Sequence, residues 1–75
     1  VKITKRLLKL HKRTKWSWER MCREMHRVQG EEGPSHTTLF RYARAKVARP
    51  NKLTLKYIET AIDLIEIELV KKEVG

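Results

Sequence analysis

S-H-T-T-L-F-R-Y-A-R-A-K, residues 35–46, reads as a short helix with two unlike faces. Leu39, Tyr42, Ala43 and Lys46 recur at i, i+3, i+4 and i+7, a largely apolar stripe suited to docking on a core. Thr37, Arg41 and Arg44 fall on the other side. Ser35 is the expected N-cap, its hydroxyl placed to accept an orphan backbone N–H of the first turn. The Gly33-Pro34 pair breaks whatever precedes it. A capped N-terminus, hydroxyls in the first turn and arginines on the outer face suit entry into a DNA major groove. A plain surface helix of a basic protein carries the same pattern.

On the C-terminal side, Pro50 marks Arg49 as the expected helix boundary, and Asn51 can cap the next helix. Leu55, Ile58, Ile62, Ile65 and Leu69 then step by 3, 4, 3 and 4, a helical seam in a long C-terminal helix over about residues 52–72. Tyr57, Ala61 and Leu64 form a neighbouring row. That is more apolar surface than a small three-helix core requires, so self-association as a homodimer through this helix is expected. Residues 65–69 also alternate with period two, as a pairing strand would; the surrounding Glu, Leu and Lys favour helix.

On the N-terminal side, Q-G-E-E-G-P at 29–34 is a loop. Before it, Trp18, Met21, Cys22, Met25 and Val28 line one face of a helix capped by Ser17, with Glu19 near the positive end of its dipole. One or both of Trp16 and Trp18 are expected to lid the core; the alternative is an exposed indole lying against a sugar-phosphate backbone and donating its N–H there. Residues 3–13 form the first helix, with Ile3, Leu7 and Leu10 as its stripe and Leu8 widening it. Such a basic amphipathic helix can lie on a membrane, but a small bundle needs this face for its own core.

Charge is the strongest global signal, with 18 Lys and Arg against 9 Asp and Glu. It is lopsided: residues 1–49 carry +10 and residues 50–75 carry −1. The basic part contains the proposed reading helix, and a field of this sign attracts polyanions. An RNA, a membrane surface or an acidic protein responds to the same field. The 75 residues make one domain, 1–75, with its core within 3–65. A single cysteine, Cys22, excludes an internal disulfide framework and fits a reducing cytosol, so a cytoplasmic location is expected. Val1 to Leu10 lacks the long apolar run of a secretory signal, and nothing approaches a membrane span of roughly 20 residues.

S-W-E-R-M-C-R-E-M at 17–25 is similar to the Ser-Gln-Glu-Glu-Leu-Ala-x-x-Leu pattern of the lambda-repressor-like helix-turn-helix family, which includes phage repressors, Cro proteins and the XRE group. Met21 and Met25 take the leucine places, and Cys22 takes the small alanine place. Residues 35–46 resemble that family's Ser-x-x-Thr-Ile-Ser-Arg-Trp-Glu-x-Gly-Lys pattern, with Thr38, Leu39, Arg41, Tyr42 and Lys46 matching in kind. Pro50 and the helical run after it also have counterparts there. The turn is longer than the family's, and Ala43 and Ala45 stand where Glu and Gly commonly close the second motif helix.

The resemblance implies an all-α fold: a small bundle of four helices containing a helix-turn-helix. It implies sequence-specific binding to double-stranded DNA and a transcriptional regulator of phage or mobile-element type. His36, Thr37, Thr38 and Arg41 are the candidates for base contact. Ser17, Trp18, Ser35, Arg44, Lys46 and Arg49 are the candidates for phosphate contact. Phe40 is expected in the core beside Leu39 and Ala43, or else against a thymine methyl. Two rival readings are a protein-interaction module that keeps this core without binding DNA, and a basic RNA-binding bundle. Catalysis is not expected, since no triad and no Gly-rich phosphate loop is visible. Cys22 and His26, spaced i, i+4, are two ligands and fall short of a metal site. No cofactor and no small-molecule ligand is expected.

Overall fold

Three polar side chains start three of the four helices. Ser17 Oγ accepts the Arg20 N–H at 3.2 Å, and Ser35 Oγ accepts the Thr38 N–H at 3.3 Å. Asn51 Oδ1 accepts the N–H groups of Leu53 and Thr54 at 2.8 and 3.3 Å. Each such cap stabilises its helix by about 1 kcal/mol. In the computed structural model the helices are α1 (Lys2–Thr14), α2 (Trp18–Gln29), α3 (His36–Ala43) and α4 (Lys52–Val74). The structure describes residues 2–74; Val1 and Gly75, the two ends of the expected 1–75 domain, lie outside the described residues. The fold is all-α, with no strand among the described residues, and residues 65–69 are continuous helix. No described helix is long and apolar enough to cross a membrane.

The helical periodicity of the sequence becomes one core. Ile3, Leu7 and Leu10 come from α1, Met21, Cys22 and Met25 from α2, Leu39, Tyr42 and Ala43 from α3, and Ile58, Ala61, Ile62 and Ile65 from α4. Burying each Leu, Ile or Met stabilises the fold by roughly 1.5–3 kcal/mol against leaving it exposed. Trp16 and Trp18 lie half-buried against this core, as lids. α3 and α4 each pack on both α1 and α2. Thr4 on α1 also donates its hydroxyl to the Tyr42 carbonyl at 2.7 Å, tying α3 to α1.

Three expectations are corrected. Leu8 does not widen the core stripe; it is exposed, because it lies a further 100° round α1 from Leu7. The third helix does not run to Lys46 or Arg49. It ends at Ala43, where Ala45 turns left-handed at φ 56°. The Lys46 N–H then reaches the Arg41 carbonyl at 2.9 Å, and the Ala45 N–H reaches that of Tyr42 at 3.1 Å, the Schellman pattern. The row Tyr57, Ala61 and Leu64 is not surplus surface either. Ala61 is fully buried, and Tyr57 is spent on holding a loop.

That loop, residues 30–35, joins α2 to α3. Gly30, at φ 73°, closes α2 through its N–H to the His26 carbonyl at 2.9 Å. The Tyr57 ring lies against Gly33, so that a Cβ added there would collide with ring carbons. The Tyr57 hydroxyl donates to the Glu31 carbonyl at 2.8 Å, and Gln29 Nε2 donates to the Tyr57 carbonyl at 2.8 Å. Burial first, then the charge of Glu31, raises the Tyr57 pKa. Cys22 Sγ–H donates to the Pro34 carbonyl at 3.3 Å, and His26 Nε2 lies 3.4 Å from the same oxygen.

Ion pairs join the first two helices to the last. Arg6 pairs with Asp63 and, at 3.6 Å, with Glu66; Arg13 pairs with Glu73 at 2.6 Å. Arg27 bridges Glu24 at 3.0 Å and Glu68 at 2.6 Å. The hydrogen bond that Arg6 donates to Asp63 raises the Arg6 pKa, and those that Arg27 donates to Glu68 and Glu24 raise that of Arg27. The Arg27 hydrogen bond in turn holds the Glu68 carboxyl below its ordinary value.

Two outcomes are expected. Gly33→Ala lowers stability by about 1–3 kcal/mol through overpacking against Tyr57. In a double-mutant cycle with Tyr57→Leu that cost shrinks, as chemical denaturation will show. A depressed folded-state pKa at Glu68 means stability that is present above the ordinary 4.5 and lost as pH falls through the depressed value. Glu68→Gln therefore lowers the Tm near neutral pH. The gap from wild type closes in acid and narrows with added salt, since the pair is exposed.

Candidate nucleic-acid interface

α3 docks through Leu39, Tyr42 and Ala43 and turns the rest of its surface outward. His36, Thr37, Phe40, Arg41 and Arg44 are all exposed, and their spacing puts them on one side of the helix. Four of the ten candidate residues, His36, Thr37, Arg41 and Arg44, therefore share a face. Thr38 is half-buried. Its Oγ1 lies 3.2 Å from Ser35 Oγ, so the cap engages both hydroxyls. Lys46 and Arg49 are exposed but sit past the helix, on the segment leading to α4. Ser17 is exposed, with its hydroxyl engaged by the Arg20 N–H.

Trp18 joins the start of α2 to this face. Its ring stacks on His11 at 4.4 Å between centroids and meets the Phe40 ring edge-on at 5.9 Å. The Arg44 guanidinium lies over the Phe40 ring, 5.3 Å from its centroid. An aromatic row thus runs from the end of α1 across the start of α2 to the end of α3. Phe40 is not a core residue: it remains 40% exposed, because at i+1 from Leu39 it points away from the docked stripe.

His36 faces the side of α2. It lines a shallow cleft with Glu19, Cys22, Arg23 and His26. Cys22 Sγ and His26 Nε2 are 3.5 Å apart there. No group of three or more His, Cys, Asp or Glu side chains among the described residues gathers to hold a metal. Burial pushes the Cys22 thiol pKa up, which disfavours the nucleophilic thiolate.

The electrostatics divide the molecule. The arginines that form ion pairs, Arg6, Arg13 and Arg27, lie on α1 and α2, and their cross-helix partners are all on α4. Among the described residues, Arg41, Arg44, Lys46 and Arg49 form no ion pair. Two further exposed cations, not among the ten candidates, belong to the same side of α2. Arg20 lies over the Trp16 ring at 5.1 Å, and Arg23 borders the His36 cleft. Their spacing of three, off the core stripe of α2, is the sequence signal that marks them.

The molecule is thus a small all-α bundle of four helices with a cationic, aromatic-edged helix face. No protein-family model, no curated protein and no solved structure matches the chain.

The end of this face contains a strained residue. Alanine in the left-handed region costs about 1 kcal/mol, which glycine avoids. Ala45→Gly is expected to raise stability by up to about 1 kcal/mol, measured by thermal melting, with α3 and its exposed face unchanged.

Proposed function

We propose that this protein binds double-stranded DNA as a transcriptional regulator of the lambda-repressor-like helix-turn-helix type, with α3 as its reading helix. The observation that carries this reading is the outer face of α3. It presents His36, Thr37, Phe40, Arg41 and Arg44 together, with no acidic partner on its arginines among the described residues. α3 enters the major groove by its N-terminal half, and the start of α2 crosses the sugar-phosphate backbone beside it.

His36, Thr37 and Arg41 then face base edges. Arginine matches guanine O6 and N7, and the threonine methyl matches the thymine methyl. Thr38 contributes to the base contact less directly, since its hydroxyl already serves the cap. Arg44, Lys46 and Arg49 hold phosphates, as do Ser17, Trp18 and Ser35, and these contacts set the register without reading sequence. Phe40, open to solvent between Trp18 and Arg44, offers an apolar contact to a thymine methyl.

The test is binding to random-sequence duplex DNA across a salt series, followed by fluorescence anisotropy. The expected result is micromolar affinity that falls steeply with salt, the log–log slope reporting the phosphates engaged. Arg41→Ala should weaken a selected site by roughly 1–3 kcal/mol and relax preference at one base pair. An equal loss on random DNA would make Arg41 a phosphate contact. No binding at low salt would overturn the reading and leave a protein-interaction module, and preference for RNA in direct competition would replace DNA by RNA.

A further inference from the structure

Where α2, the loop and the start of α3 meet, three donor atoms of different chemistry face one another. Cys22 Sγ lies 3.5 Å from His26 Nε2, and the Pro34 carbonyl oxygen lies 3.3 Å from the sulfur and 3.4 Å from the nitrogen. The three atoms form a nearly equilateral triangle. Around a tetrahedral zinc ion, with bonds of about 2.0–2.3 Å to nitrogen, oxygen and sulfur, neighbouring ligand atoms are about 3.3–3.6 Å apart. The triangle therefore has the size of one face of such a tetrahedron. Two of its corners are side chains and the third is main chain, so it needs no group of three His, Cys, Asp or Glu side chains, and none gathers among the described residues.

Hydrogen bonding alone does not require this arrangement. The Cys22 thiol has one proton to donate, and the Pro34 carbonyl suffices for it. His26 Nε2 nonetheless approaches both the sulfur and the oxygen. The corners are also held in place. Spacing of i, i+4 sets Cys22 and His26 on one face of α2. The His26 ring packs edge-on against Tyr57, 6.3 Å between centroids, and the same Tyr57 ring lies against the loop at Gly33. The cleft lined by Glu19, Cys22, Arg23, His26 and His36 reaches two corners of the triangle, so an ion has a path in.

We infer that this junction binds one zinc ion through Cys22 Sγ, His26 Nε2, the Pro34 carbonyl oxygen and His36. His36 is exposed at the start of α3 and completes the set by a change of rotamer. A zinc–sulfur bond forms as the Cys22 S–H bond breaks, and the proton leaves to solvent. Thiolate and imidazole select zinc over magnesium and calcium, which take oxygen ligands. Glu19 and Arg23 at the rim cancel in charge, and the thiolate meets the ion. Bound zinc ties α2 to the loop and to the first residue of α3. The site stands on this junction alone and does not rest on the DNA-binding reading.

Cobalt(II) titration of the untagged, reduced chain tests the ligand set, because tetrahedral cobalt bound to thiolate shows a sulfur-to-metal charge-transfer band and intense d–d bands. Both bands are expected to saturate at one ion per chain and to vanish when zinc displaces the cobalt. Zinc at roughly a hundred times its Kd should raise the Tm by about 10 °C. Cys22→Ser should abolish the charge-transfer band. His36→Ala, at an exposed position outside the core, should weaken zinc by at least about tenfold and keep that band. Saturable binding without the charge-transfer band would put the ion elsewhere and overturn the site. Unchanged zinc affinity in His36→Ala would overturn the ligand set. No binding and no rise in Tm at about 1 mM zinc would overturn the inference outright.

Discussion

The place of α3 depends on the contacts that hold the six residues before it. A free loop of this length would leave α3 anchored by its three core side chains and the Thr4 bond to the Tyr42 carbonyl, with nothing fixing its N-terminal approach. Here Tyr57, from the first half of α4, fills the space over Gly33 and donates its hydroxyl to the Glu31 carbonyl. Cys22 and His26 approach the Pro34 carbonyl from α2. The loop is therefore clamped from two helices just before Ser35 caps the third. Glycine is required at position 33 for a steric reason, close approach of an aromatic ring, and its backbone is not left-handed. A loop longer than a tight turn can then deliver a helix in one orientation, because buried side chains replace the constraint that a short turn supplies by chain length.

The second organising constraint is how charge is spent. α4 carries Asp63, Glu66, Glu68 and Glu73, and each meets an arginine of α1 or α2. These contacts are partly exposed and individually weak, so their effect is to be sought mainly in the surface they leave behind. Arg6, Arg13 and Arg27 are neutralised by α4, while Arg41, Arg44, Lys46 and Arg49 form no ion pair among the described residues. Segregation of this kind cannot be read along the chain, because Arg6 and Asp63 are 57 residues apart. The sequence shows only the totals, +10 before residue 50 and −1 after it.

Helix starts and core stripes were legible in the sequence, because both rest on local chemistry. Ser17, Ser35 and Asn51 announce their helices, and the 3.6-residue period picks out Ile3, Leu7, Met21, Leu39 and Ile62 as core. The end of α3 was misread. The family pattern places a closing glycine at position 45, but the residue here is alanine, and Ala45 takes the left-handed turn despite its Cβ penalty. Leu8 and Phe40 were misplaced for a shared reason. Each follows a buried leucine, and hydrophobicity alone does not tell a residue at the edge of a stripe from one inside it. For the candidate site, the outward residues of α3 followed from periodicity. The aromatic row through His11, Trp18 and Phe40 needed three helices to be placed first.

α3 and α4 each pack on both α1 and α2, and their outer faces are separate surfaces. The two faces also differ in charge: the arginines of α3 have no acidic partner among the described residues, whereas α4 carries five of the nine acidic residues. A polyanion approaching such a body is attracted toward the α3 side and gains little from the α4 side, so the charge distribution orients the encounter before any contact forms. Exposed apolar side chains on α4 are then kept clear of the polyanion by position and by charge together. One helix thus supplies core, the clamp on the α2–α3 loop and the acids that neutralise α1 and α2, while its Leu53, Ile67 and Val70 remain exposed. This accounts for its length of 23 residues against 8 for α3: the short helix needs only enough turns to dock and present a face, whereas the long one must reach α1, α2 and the loop before α3.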